Sequence, residues 1–159
     1  MRADSAEGHR PSFPDLAIAL AALSGLAGMA GVYLDTAWHR TIGRDSFFIL
    51  PHLFIYGGGL GVWAAALAAI ARASLGREAE IGGPVFRLRR LRLPFGFTLT
   101  AFGTVVIMAA APVDDWWHRT FGKDVLIWSP PHLQPHLGAG VAAVGLLFAI
   151  AGQRGRGAL

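Results

Sequence analysis

FFILPHLFIYGGGLGVWAAALAAIA, residues 47–71, runs for 25 residues without a charged side chain. A helix of about 20 apolar residues is long enough to cross the ~30 Å hydrocarbon core of a bilayer. Three more such runs flank it: Leu16–Leu34 (19 residues), Leu93–Val113 (21) and Val125–Gln153 (29). Four runs of this kind in 159 residues leave almost nothing for a soluble domain, and only 15% of the residues are charged. The fold class that follows is an all-α integral membrane protein with four transmembrane helices.

The charges between the runs orient the chain. Arg2 and Arg10 precede the first run, Arg72, Arg77, Arg87, Arg89, Arg90 and Arg92 separate the second from the third, and Arg154 and Arg156 follow the fourth. The opposite side receives Arg40, Arg44, Arg119 and Lys123. Ten against four, by the positive-inside rule, places both termini and the middle loop in the cytoplasm, in the setting of a bacterial inner membrane. The basic balance is therefore topological and carries no expectation of nucleic-acid binding. With no cysteine, disulfides and thiolate metal sites are excluded. The first run is too long for a signal-peptide core and has no small-residue cleavage site, so it is expected to be a mature helix.

Prolines and charges set the expected boundaries. Residues 1–13 form a polar tail, 14–73 a first helical hairpin, 74–93 a basic cytoplasmic loop, 94–153 a second hairpin and 154–159 a short tail. The helices are expected over Pro14–Trp38, Pro51–Ala73, Pro94–Trp117 and Pro130–Ala151, since proline is tolerated in a first helical turn. In the middle loop, FRLRRLRLPF alternates arginine with apolar residues. It reads as an interfacial segment on anionic lipid or as a basic loop that sets topology. Small residues at four-residue spacing in YGGGLG (56–61) and GAGVAAVG (138–145) predict close helix contact.

The two hairpins share a sentence. DTAWHRTIGRD at 35–45 returns 79 positions later as DDWWHRTFGKD at 114–124, with seven of eleven positions identical. We read this as an internal duplication: two tandem helical hairpins, packed up-down-up-down, with both copies facing outward. Gly43 and Gly122 are expected at positive φ in turns. Arg40, Asp45, Arg119 and Asp124 are read as loop-fixing ion pairs. Met29 and Met108 share the same 79-residue offset and are assigned to core packing. Trp38, Trp116, Trp117 and Trp128 form the expected aromatic belt at the outer interface.

Within the sentence, Asp35 and His39 are four residues apart on one helix face, and His52 returns to the same level at the start of the next helix. Asp114, His118 and His132 repeat the pattern, with one extra residue before the last histidine, and His136 adds an imidazole one turn further on. Carboxylate plus imidazoles is a ligand set for copper, zinc or iron, with positions left open. Ionisable groups at membrane depth usually have a partner or a task. The purely structural reading is an ion-paired loop whose histidines bond nearby carbonyls.

Asp35-x3-His39-x12-His52 resembles the copper-site motif found in a membrane-embedded component of the particulate methane and ammonia monooxygenases. The resemblance covers about eighteen residues per half, and Asp114, His118 and His132 depart from it by one residue. It implies copper near the outer face of the bilayer; it does not carry hydrocarbon oxidation to this chain. Copper is thus the expected metal and zinc the second choice, in a metal-handling or oxidase system with the bilayer, and other membrane subunits or further copies of this chain, as partners. One alternative is a non-enzymatic assembly subunit whose repeated loop is a structural cap. A second is a zinc-dependent intramembrane hydrolase, since His132-x3-His136 with an Asp resembles the centre of alkaline ceramidases, which have seven helices. A bis-histidine haem needs facing imidazoles across a haem-sized gap, and nothing in the sequence marks one.

Overall fold

The computed structural model describes residues 11–43, 46–122 and 128–156. Four long helices dominate it: α1 (Phe13–Thr41), α2 (Leu50–Arg72), α4 (Phe95–Phe121) and α5 (Pro130–Arg156), with a one-turn α3 (Glu78–Ile81) between α2 and α4. The four long ones are apolar enough to cross a membrane. They pack in an up-down-up-down bundle, α1 along α2 and α4 along α5, with α2 and α4 joining the pairs and α1 touching α5 only lightly.

The interior is made of small residues and the surface of large ones. Ala17, Ala66, Ala69, Ala101 and Ala149 are buried, whereas Leu23 and Leu26 are each 67% exposed and Leu147 65%. In water such a surface would aggregate; in lipid there is no hydrophobic reward for hiding leucine, and tight backbone approach decides what packs. A Cβ on Gly138 would lie 2.7 Å from the Gly103 carbonyl oxygen and 2.9 Å from the Ile107 nitrogen. On the other pair, Gly28 and Gly58 meet backbone to backbone. Thr100 Oγ1, fully buried, lies 3.0 Å from the Gly96 carbonyl of its own helix and 3.3 Å from that of Ala142 across the contact.

The helices run past the expected ends. The N-terminus of α1 is set by Ser12, whose backbone N–H and hydroxyl both donate to Asp15, at 2.9 and 2.5 Å, a capping arrangement that absorbs unpaired donors of the first turn. α1 continues to Thr41 rather than ending at Trp38, and α4 to Phe121 rather than Trp117, because polar residues continue a helix until a stop signal arrives. That signal is written in the repeated sentence. Thr41 and Thr120 turn their hydroxyls back to the carbonyls of Ala37 and Trp116, at 2.9 and 2.8 Å. Gly43 (φ 67°) and Gly122 (φ 85°) then leave the helix through the left-handed region, donating their N–H to Trp38 and His118.

Residues 74–93 are folded rather than a loop. A single π-type turn, Ala73–Arg77, breaks at Gly76 (φ 88°) into α3. β1 (Val85–Leu88) and β2 (Leu91–Pro94) then pair antiparallel, with Leu88 opposite Leu91. The alternation in FRLRRLRLPF is thus the period-two pattern of a strand pair, closed by a two-residue turn with Arg89 at φ 52°. Ser74 Oγ accepts the Arg92 N–H at 2.9 Å, tying the hairpin to the turn after α2, and the Gln153 amide of α5 donates to the Ile81 carbonyl at the end of α3.

Met108 is a packing residue: its sulfur fills the space beside Gly59, 2.7 Å from where a Cβ would stand. Met29 corrects the sequence reading. It is 62% exposed, on the outer face of α1, because the other side of this helix is taken by its glycine contacts with α2.

Candidate metal centres

Much of the repeated sentence is helix-stop grammar, since threonine and glycine close the helix. The side chains of Asp35, Asp114 and His39 stand apart from that stop, whereas His118 meets the stop residue Gly122 through both its backbone carbonyl and its ring. Asp35 and His39 lie one helical turn apart near the end of α1. After a short connection, Pro51 starts α2 so that His52 stands in its first turn at the same level. The Asp35 Oδ1 atom lies 3.5 Å from His39 Nε2 and 3.2 Å from His52 Nε2. In the second pair of helices, Asp114 Oδ1 lies 3.3 Å from His118 Nε2 and 3.7 Å from His132 Nε2. In each triad the three donor atoms all fall within 4.8 Å of one another.

These separations test the fit to a metal. Three donors about 2.0–2.1 Å from one ion, at tetrahedral angles, are spaced by roughly 3.3–3.5 Å. The observed carboxylate-to-imidazole distances bracket that value. The same separations also lie within ion-pair reach, so distance alone is common to direct pairing and to a shared ion. Asp35 Oδ1 is buried and makes no aligned hydrogen bond despite its two imidazole neighbours. A buried carboxylate oxygen needs a partner, and each of the two imidazoles is near enough to pair with it directly or to share a metal ion with it.

The far side of the rings supports the same arrangement. His52 Nδ1 is 3.4 Å from the Phe47 carbonyl and His118 Nδ1 is 3.3 Å from that of Gly122. With the proton on Nδ1 donated to the carbonyl, Nε2 keeps its lone pair toward the carboxylate, the tautomer a metal ligand requires. His132 Nδ1 is instead 2.9 Å from the hydroxyl of Ser129, the residue just before α5. Of these partners, only Ser129 was visible in sequence, as the first letter of SPPHL. The Phe47 and Gly122 carbonyls are backbone atoms that leave no signature in side-chain patterns. Removing the hydroxyl with Ser129→Ala is expected to weaken metal binding at the second triad by about 10–100-fold, leaving the first unaffected, as read by competitive metal titration.

The two triads differ in their surroundings. Beside the first, Tyr56 packs against His52 with the rings tilted at 41° and centroids 5.8 Å apart. At the corresponding turn of the second, His136 bonds the His132 carbonyl through Nδ1 at 2.5 Å, outside the three converging donors. Arg119 pairs with Asp115, at 2.8 Å, one turn back on its own helix. Asp45 and Asp124, with Arg44 and Lys123, lie outside the described residues, as do Arg2, His9 and Arg10. All triad residues are partly exposed, at 15–33%. Compared with protein-family models, curated proteins and solved structures, the chain finds no match in any of the three.

Proposed function

We propose that the protein is a membrane metal-binding protein that holds one transition-metal ion in each Asp/His triad, at the outer face of a bacterial cytoplasmic membrane. The observation that carries this reading is the convergence of a carboxylate oxygen and two Nε2 atoms, twice, at spacings suited to one ion. Copper is the metal we favour. Two imidazoles and a carboxylate suit Cu(II), which outcompetes zinc at nitrogen–oxygen sites of equal geometry, and the Asp-x3-His-x12-His motif resembles a known copper site. Zinc is the second choice.

Each triad supplies three ligands and leaves positions open. That suits an ion that must be loaded and released, and we therefore place the protein in a metal-handling or oxidase assembly, built on a duplicated hairpin. His136 stands as a reserve ligand to the second ion. The assembly-subunit reading, with the repeated loop as a structural cap, gains support from the helix-stop residues and from the contacts of His118 with Gly122.

The test is metal analysis of detergent-purified protein after loading with Cu(II) and Zn(II) in competition. The expected result is two copper ions per chain, one for each triad, with an electron paramagnetic resonance signal split by two nitrogens per ion. Protein that takes up no stoichiometric metal, yet stays folded, would establish the cap reading instead.

A further inference from the structure

We propose that the β1–β2 hairpin is a membrane-surface anchor that docks on anionic phospholipid headgroups at the basic end of the bundle. The proposal rests on the fold alone and stands or falls independently of the metal reading.

The strand register sorts the hairpin into two unlike faces. Cross-strand partners share a face, and alternate residues along a strand do too. Arg87 and Arg92 are opposite one another, and both turn to Glu78, at 2.5 and 3.3 Å. On the other face stand Phe86, Leu88, Leu91 and Leu93. Phe86 and Leu88 are each 58% exposed and Leu91 48%. The Glu78 clamp fixes which face is turned toward the protein and which away from it.

The apolar face does not end in water. Phe86 packs edge-on against Phe95, the first residue of α4, with centroids 5.9 Å apart, and Phe95 in turn against Phe148 of α5 at 5.0 Å. Phe148 sits on the exposed side of a membrane-spanning helix. The apolar face of the hairpin is therefore continuous with the lipid-facing surface of the bundle.

Charge decides what kind of surface it meets. Between Arg72 and Arg92 there are six arginines and two glutamates. Glu80 pairs with Arg72 and Arg77, and Glu78 with Arg87 and Arg92. Arg89 and Arg90, at the turn, are exposed and have no carboxylate partner among the described residues. Two guanidinium groups at the rim of an apolar face, level with the ends of transmembrane helices, match a phosphate-bearing interface: apolar side chains below, charges at headgroup depth. A second copy of this chain would bring a further Arg-Arg turn against the first, so like charges oppose that occupant.

The chain has no cysteine, so full-length Leu88→Cys can be labelled at one point with an environment-sensitive fluorophore and placed in vesicles. Moving from phosphatidylcholine alone to a mixture with about 30 mol% phosphatidylglycerol is expected to blue-shift the emission and protect the label from the neutral quencher acrylamide. Adding Arg89→Gln and Arg90→Gln is expected to lower the docked-to-undocked ratio about fivefold per arginine, and Lys at both positions to restore it, with the thermal melt unchanged. A label equally open to acrylamide in both lipid mixtures would overturn the proposal. So would protection that grows with protein concentration in detergent, which would assign the face to a second copy.

Discussion

If each triad holds one metal ion, as proposed, His39→Ala is expected to remove one ion and to leave the spectrum of the other unchanged. His118→Ala should do the converse, and the double variant should bind none. The reason is spatial. Each set of donors comes from one pair of adjacent helices, α1 with α2 or α4 with α5, and is complete within 4.8 Å. A shared dinuclear centre would instead need metals about 3.5–4 Å apart, with ligands drawn from both pairs. Losing one of three ligands leaves a two-donor site, and the affinity at that triad should fall by more than the roughly 100-fold that a supporting hydrogen bond can cost. The fold should survive, because His39 is partly exposed at a helix end and the helix stop beside it depends on Thr41 and Gly43. Metal counts by mass spectrometry and the resonance spectrum of each single variant check the result. Disappearance of both ions from either single variant would replace two sites by one shared centre.

The second large effect is all-or-none. A reporter fused after Gly82 is expected in the cytoplasm, and reporters at Gly43 or Gly122 are expected outside. Gly82 precedes the arginine-rich hairpin and stands at positive φ (70°) between α3 and β1, a place that tolerates an insertion better than a helix interior. Four of the six arginines around it are tied to glutamates. That pairing should not reverse the orientation, since Lys and Arg set topology while acidic residues count little. An alkaline phosphatase fusion active at Gly82 and silent at Gly43 would invert the protein and turn both triads toward the cytoplasm.

The difference between what the sequence says and what it withholds is clearest in the repeated sentence. Gly43 and Gly122 leave their helices at positive φ, as their spacing predicts, whereas the last turns backed by Thr41 and Thr120 carry α1 and α4 past the Trp38 and Trp117 ends expected from the sequence. Asp35 with His39, and Asp114 with His118, are likewise set by the four-residue period of one helix. The middle segment shows the opposite case. Its arginine–leucine alternation is visible as composition. That it pairs as two strands depends on Glu78 holding Arg87 and Arg92 and on Ser74 holding the Arg92 backbone, contacts made across 9 to 18 residues. Met29 and Met108 hold equivalent positions in sequence but face lipid and helix respectively, because α4 is flanked closely on both sides, by α2 and α5, and α1 by α2 alone.

The four apolar helices, their alternating direction and the residue types gathered at one end were all legible in the linear chain. Those properties follow from hydropathy, helix period and charge, each a matter of near neighbours. The convergence of His52 and His132, whose Nε2 atoms come within 3.2 and 3.7 Å of the aspartates on preceding helices, was settled by packing. It depends on how closely glycine and alanine let the helices of each pair approach, a distance set by backbone contact and by no single residue's chemistry.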